Sequence, residues 1–239
     1  MKKIAVIFFS CIALSCQKKR DIQLPEIDCP SPALTVRNPG DPVYLFYDPS
    51  EPDSLYPNLK KALPASSRTV YTDKCLRLKH VIPQLKKLRE QQLKQVEADR
   101  TKMYVPVMED KGKEVFFLDI SDIAYKTNDQ FSKFYIKDLP EQHMNLLTLT
   151  INFKRNDDIT VDGNPIERAE LLSFLKEYID FVSEGKNTLI YLNFDENLTF
   201  QKYISGYCLM MQLRAPAIQI AGIEFIYNEA LLPDCHCEL

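Results

Sequence analysis

Leu147-Thr148-Leu149-Thr150-Ile151-Asn152-Phe153 alternates apolar and polar residues without a break. A period of two over this length marks a strand with one face on a core. Arg155-Asn156-Asp157-Asp158 turns the chain, and Ile159-Thr160-Val161 returns it before Asp162-Gly163. Glu167 and Glu170 then fall in the first turn of a helix, where carboxylates suit the positive end of the dipole. Leu171, Phe174, Leu175, Tyr178, Ile179 and Val182 keep helical spacing until Gly185. Thr188 to Phe194 reads as the next strand, closed by Asp195. Phe200, Tyr203, Ile204, Tyr207, Met210 and Met211 then mark a second amphipathic helix. Gly222 precedes a last strand, Ile223-Glu224-Phe225-Ile226-Tyr227. The order β-β-α-β-α-β predicts a two-layer domain over residues 146–228, with helices over 167–184 and 199–213 on one face.

Such a sheet has a second face and an edge to account for. If Leu147, Leu149, Ile151 and Phe153 meet the helices, the side of Thr148, Thr150 and Asn152 is left for a partner. The edge formed by Ile223, Glu224, Phe225, Ile226 and Tyr227 is expected to be free as well, which points to self-association as a homodimer or to binding of another protein.

Upstream, residues 43–140 read as a mixed α/β region, making the whole chain α/β (α+β). Val43 to Tyr47 is a strand, Asp53 to Leu63 a short helix and Thr69-Val70-Tyr71 another strand. Ile82 to Arg100 is helical, with Pro83 in its first turn. Tyr104 to Val107 and Glu114 to Ile120 form a hairpin around Asp110-Lys111-Gly112-Lys113. Tyr44-Leu45-Phe46-Tyr47-Asp48 parallels Tyr191-Leu192-Asn193-Phe194-Asp195, which reads as convergent strand patterning, with two tandem units packed as a pseudo-dimer as the alternative. Nine of the 15 prolines (25, 30, 32, 39, 42, 49, 52, 57 and 64) precede residue 66, and residues 16–42 read as an extended tether.

The first residues set the expected compartment. Lys2 and Lys3 precede an uncharged, mostly apolar run from Ile4 to Leu14, short for a bilayer span at ~1.5 Å per residue. Ser15-Cys16 follows, and the layout resembles the lipobox of bacterial lipoproteins. The resemblance implies a signal peptide over residues 1–15 and an acyl anchor on Cys16. No acidic run follows it, only Lys18, Lys19 and Arg20, which points to a periplasm-facing protein of the cell envelope. After export, Cys29, Cys75, Cys208, Cys235 and Cys237 are the candidate disulfide members, and their odd number leaves at least one thiol free. The tail over 229–239 carries Cys235-His236-Cys237 without a second spaced pair, so no metal site is expected.

A net charge of −3 gives no general pull toward nucleic acid. The chain has no G-x-S-x-G elbow, H-E-x-x-H, P-loop or dinucleotide fingerprint, and six glycines leave little for phosphate-binding loops. His80 and His143 read as surface or structural histidines. No enzyme and no cofactor are expected.

Residues 146–228 resemble the periplasmic domain of the ExbD/TolR family, accessory proteins of membrane motors with ExbB/TolQ-type channels. The likeness is carried by Leu147 to Phe153 followed by Val161-Asp162-Gly163, by Glu170-Leu171 with Leu175, by Asp195 with Phe200, and by Gly222-Ile223. It implies a biopolymer-transport context and an envelope partner of the ExbB/TolQ type. The family's membrane helix with its acidic residue has no counterpart in the chain's apolar run. The function expected is therefore a protein-interaction module, with binding of a glycan, peptidoglycan or peptide ligand as the alternative.

Overall fold

Parallel strands joined by helical crossovers build both halves of the chain. The computed structural model describes residues 22–28, 34–35, 40–47, 55–57, 66–94, 101–109, 114–128 and 130–232. The first half contains β1 (Glu26–Ile27), β2 (Leu34–Thr35), β3 (Asp41–Tyr47), β4 (Leu55–Pro57), β5 (Ser67–Thr72), α1 (Leu78–Leu93), β6 (Lys102–Glu109) and β7 (Val115–Asp119). Its sheet runs β2-β7-β6-β5-β3-β4, with β1 also paired to β6. Strands β3, β5 and β6 are parallel, while β4 and β7 are antiparallel additions.

The second half contains β8 (Ala124–Asn128), α2 (Ser132–Asp138), α3 (Pro140–His143), β9 (Leu146–Phe153), β10 (Ile159–Val161), β11 (Asn164–Ile166), α4 (Leu171–Val182), β12 (Asn187–Asp195), α5 (Phe200–Met211) and β13 (Ile218–Tyr227). The sheet order is β11-β10-β9-β12-β13-β8. The order over 146–228 is β-β-β-α-β-α-β, the expected order with β11 added before α4, and Leu171, Leu175, Tyr203 and Tyr207 are all buried. Mixed α/β content with two sheets is the architecture of the chain.

Several expectations are corrected. Within the described parts of the supposed tether, residues 26–27, 34–35 and 41–42 are in sheet strands. Leu55–Pro57 is a strand rather than part of a helix, and the rest of 53–63 lies outside the described residues except for those three. Helix α1 starts at Leu78, four residues before Ile82. Asp162 and Gly163, with φ of 49° and 93°, make a two-residue turn into β11, so Glu167 precedes α4 rather than opening it. The C-terminal unit also takes in β8, α2 and α3, which lie before residue 146.

The parallel between Tyr44–Asp48 and Tyr191–Asp195 joins strands that are not equivalent, although the two halves share an architecture. Strand β5 corresponds to β12, not β3 to β12: in each half a parallel strand precedes β5 or β12, and a helix then leads to the next parallel strand. Asp73 Oδ1 accepts from the Cys75 N–H at 2.9 Å, and Asp195 Oδ1 accepts from the Asn197 N–H at 2.7 Å. Leu76 N–H donates to Asp73 O at 3.1 Å and Leu198 N–H to Asp195 O at 3.0 Å. These equivalent residues are separated by a constant 195 − 73 = 122 positions.

Across the junction the bonds are reciprocal. Leu78 N–H donates to Leu198 O at 3.0 Å, and Phe200 N–H to Leu76 O at 2.6 Å. Lys79 N–H donates to Glu196 O at 2.8 Å, and Gln201 N–H to Lys74 O at 3.0 Å. Exchanging the halves exchanges the bonds, which is a local two-fold relationship within one chain. One continuous core runs through Val43, Val70 and Leu85 to Leu192, Phe194 and Tyr203. The N–H groups that open α1 and α5 would otherwise lack helical partners, so the junction also caps both helices.

Candidate functional site

The far face of the C-terminal sheet is closed. Ser132 N–H donates to Asn193 Oδ1 at 2.9 Å, and Asn193 Nδ2 lies 2.7 Å from Ser132 Oγ and 2.8 Å from Asn152 Oδ1. Asn152 Nδ2 in turn donates to Thr160 Oγ1 at 2.8 Å. All four residues are buried, and their bonds satisfy polar groups that burial would otherwise penalise. His143 Nδ1 lies 2.7 Å from Leu139 O and donates to it, leaving Nε2 to accept from the Tyr191 hydroxyl at 2.8 Å. Tyr135 adds ring contacts to Tyr191 and Phe225. The face carrying Thr150 and Asn152 is thus largely an internal layer, not a partner surface.

The expected edge is closed too. Ile223, Glu224, Phe225, Ile226 and Tyr227 pair in parallel with Ala124 to Asn128, so β13 is an inner strand. Among the described residues, the outer edge belongs to β8. Its pattern is half-buried at Tyr125 and Thr127 and exposed at Ala124, Lys126 and Asn128. Among the described residues, the other sheet-ending strands, β2, β4 and β11, have two or three residues, and β4 and β11 contain Pro57 and Pro165. Short length and proline blunt such edges, because fewer N–H groups are offered for pairing. Strand β8 has five residues and no proline.

Helix α1 runs beside this edge. A cavity of about 570 Å³ is lined by Leu78, Ile82, Lys86, Lys87, Thr127 and Ile226, among others. A second, of about 200 Å³, continues past Arg89, Met103, Ile123 and Tyr125 and shares Lys86 and Glu90 with the first. Arg89 donates from Nη1 to the Ile123 carbonyl, fixing the start of β8 to the helix.

Beneath the groove lies a buried carboxyl. Tyr203 donates its hydroxyl to Glu224 Oε2 at 2.7 Å, and the Tyr125 and Tyr203 hydroxyls are 3.1 Å apart. Glu224 is 1% exposed, and its Oε1 has no hydrogen-bond partner. Removal from water pushes its pKa up to about 8, although the Tyr203 bond opposes this. Burial, then the nearby Glu224 carboxyl, pushes Tyr125 and Tyr203 well above the ordinary phenol range. The chain Tyr125–Tyr203–Glu224 ties the outer strand to α5 and the core. A carboxylate inside an otherwise apolar strand is the sequence signal for this feature.

Other predicted positions are dispersed. Cys16, Cys29, Cys235 and Cys237 lie outside the described residues. Cys75 is exposed and Cys208 is buried on α5; they form no disulfide with each other. Among the described residues, no three His, Cys, Asp or Glu side chains gather as a metal site. No helix among them is long and apolar enough to cross a membrane.

Searches of family models, curated proteins and solved structures found no match to the chain.

Proposed function

We propose that this is a lipid-anchored protein of the bacterial envelope that acts as a protein-interaction module without enzymatic activity. Its C-terminal unit is read as resembling the periplasmic part of ExbD/TolR accessory proteins, with an envelope partner such as an ExbB/TolQ-type system. The observation that carries the interaction reading is the five-residue outer strand β8 beside a groove in α1. Strand edges bind through backbone hydrogen bonds, with specificity from flanking side chains. The lipobox-like Ser15-Cys16 supports the anchor. Cys16→Ala is expected to abolish acyl labelling and release the chain from membranes; unchanged labelling overturns the anchor. Crosslinking in intact envelopes followed by affinity purification tests the partner, and recovery of none overturns the interaction reading.

Ligand binding is supported by a different surface. Tyr44 and Tyr71 stack with ring centroids 5.0 Å apart on one face of the first sheet, and Tyr44 is exposed. Aromatic rings of this kind suit the apolar faces of sugars. Co-sedimentation with purified peptidoglycan, lost in Tyr44→Ala, is the outcome that favours this second reading.

A further inference from the structure

Chemistry along the groove narrows the partner, and the inference rests on the interaction reading. We propose that the groove between α1 and the outer edge of β8 seats an extended acidic segment of another protein, added as a strand beside Ala124–Asn128.

Three observations converge on this assignment. The backbone of β8 is paired to β13 on one side and, among the described residues, to no strand on the other, so alternate outward N–H and C=O groups can accept a new strand. The parallel register puts Tyr125 and Thr127 on the side of Glu224 and Ile226, toward the groove, and Lys126 on the opposite side. An added strand would therefore place alternate side chains against Lys86 and Lys87 or beside Lys126.

Charge selects acidity. Helix α1 and β8 carry Lys79, Lys86, Lys87, Arg89 and Lys126 against Glu90, in a chain whose net charge is −3. Glu196 also lines the lower groove, beside Lys79, so the positive character is strongest toward Lys86 and Lys87. Complementary charge guides association and excludes wrong partners. Leu78, Ile82 and Ile226 supply an apolar floor that would take the methylenes of groove-facing glutamates whose carboxylates reach Lys86 and Lys87. A second copy fits less well: antiparallel pairing of β8 centred on Lys126 would set that lysine opposite itself, and like charges directly opposed destabilise a pair.

The test uses the full chain labelled for NMR and an octapeptide alternating glutamate and valine. Controls are the lysine–valine counterpart and a glutamate–valine peptide N-methylated at every second residue. The acidic peptide is expected to shift the Ala124–Asn128 amides and protect outward-facing amides from exchange. Both controls should bind at least tenfold more weakly. Lys86→Glu, Lys87→Glu and Lys126→Glu together should weaken the acidic peptide at least tenfold while leaving the circular dichroism spectrum unchanged. If that variant misfolds, Lys86→Gln and Lys87→Gln provide the milder comparison. Equal binding by the lysine peptide, shifts confined to another surface, or self-association through β8 overturns the proposal. An envelope partner still crosslinked by the charge-reversed protein overturns the groove but leaves the interaction reading standing.

Discussion

Arg77 and Thr199 face each other across an antiparallel bridge, each standing immediately before a helix. The two halves therefore begin their crossover helices from a shared element. This arrangement makes the junction, rather than either sheet alone, the place where damage should reach both halves.

Leu76 and Leu198 test that statement because each is buried beside the bridge. Leu198→Ala is expected to cost about 2–5 kcal/mol through lost burial and a cavity. Its effect should appear in both sheets. Hydrogen exchange should show faster opening of β5 and β6 as well as β12 and β13; loosening of the C-terminal sheet alone would contradict the shared junction.

Glu224 predicts a pH dependence with a definite sign. The folded state holds its proton up to about 8, whereas an unfolded carboxyl releases it near ~4.3. Folding is therefore favoured by this proton at low pH, and stability falls as pH rises between those values. The linkage span is on the order of 5 kcal/mol. Glu224→Gln should remove that slope and be relatively more stable at pH 8.5 than at pH 5, as read by urea denaturation. A parallel pH profile for parent and variant would rule out the assignment.

Asn193 predicts a penalty for breaking a buried polar network. Asn193→Ala leaves polar groups of Ser132 and Asn152 without this shared partner. A loss of about 2–4 kcal/mol is expected. Exchange protection should fall first over Ser132–Asp138, because the helix loses its attachment to β12.

Gly206 gives a test in which helix propensity and packing oppose each other. Alanine is usually favoured over glycine within a helix by about 1 kcal/mol. A Cβ at Gly206, however, would lie 3.1 Å from the Phe153 ring, which stacks on Phe194 with centroids 4.9 Å apart. Gly206→Ala should therefore lower the melting temperature despite its better helix propensity. A rise would show that Phe153 can move aside.

Local periodicity made the C-terminal helices and strands legible. Leu171, Leu175 and Ile179 are a buried helical stripe, and Ile190, Leu192 and Phe194 are a buried strand face. What escaped reading was non-local. Nothing around Ala124-Tyr125-Lys126-Thr127-Asn128 announces a parallel partner at Ile223 to Tyr227. Nor does the alternation of Thr148, Thr150 and Asn152 reveal coverage by Ser132 and its helix. A polar strand face looks solvent-exposed until another element supplies its hydrogen bonds. Glu224 carried a usable signal, since its neighbours in the strand are Ile223, Phe225, Ile226 and Tyr227.

Joining two similar units in one chain also frees them from equality. In a symmetric dimer, an edge offered by one subunit is offered again by the other. Here β13 is followed laterally by parallel β8, whereas β6 is flanked by antiparallel β7. A strand captured at β8 therefore meets no equivalent second site by symmetry. Under the proposed binding at β8, the expected valency is one partner per chain, a complex that closes instead of growing into a filament.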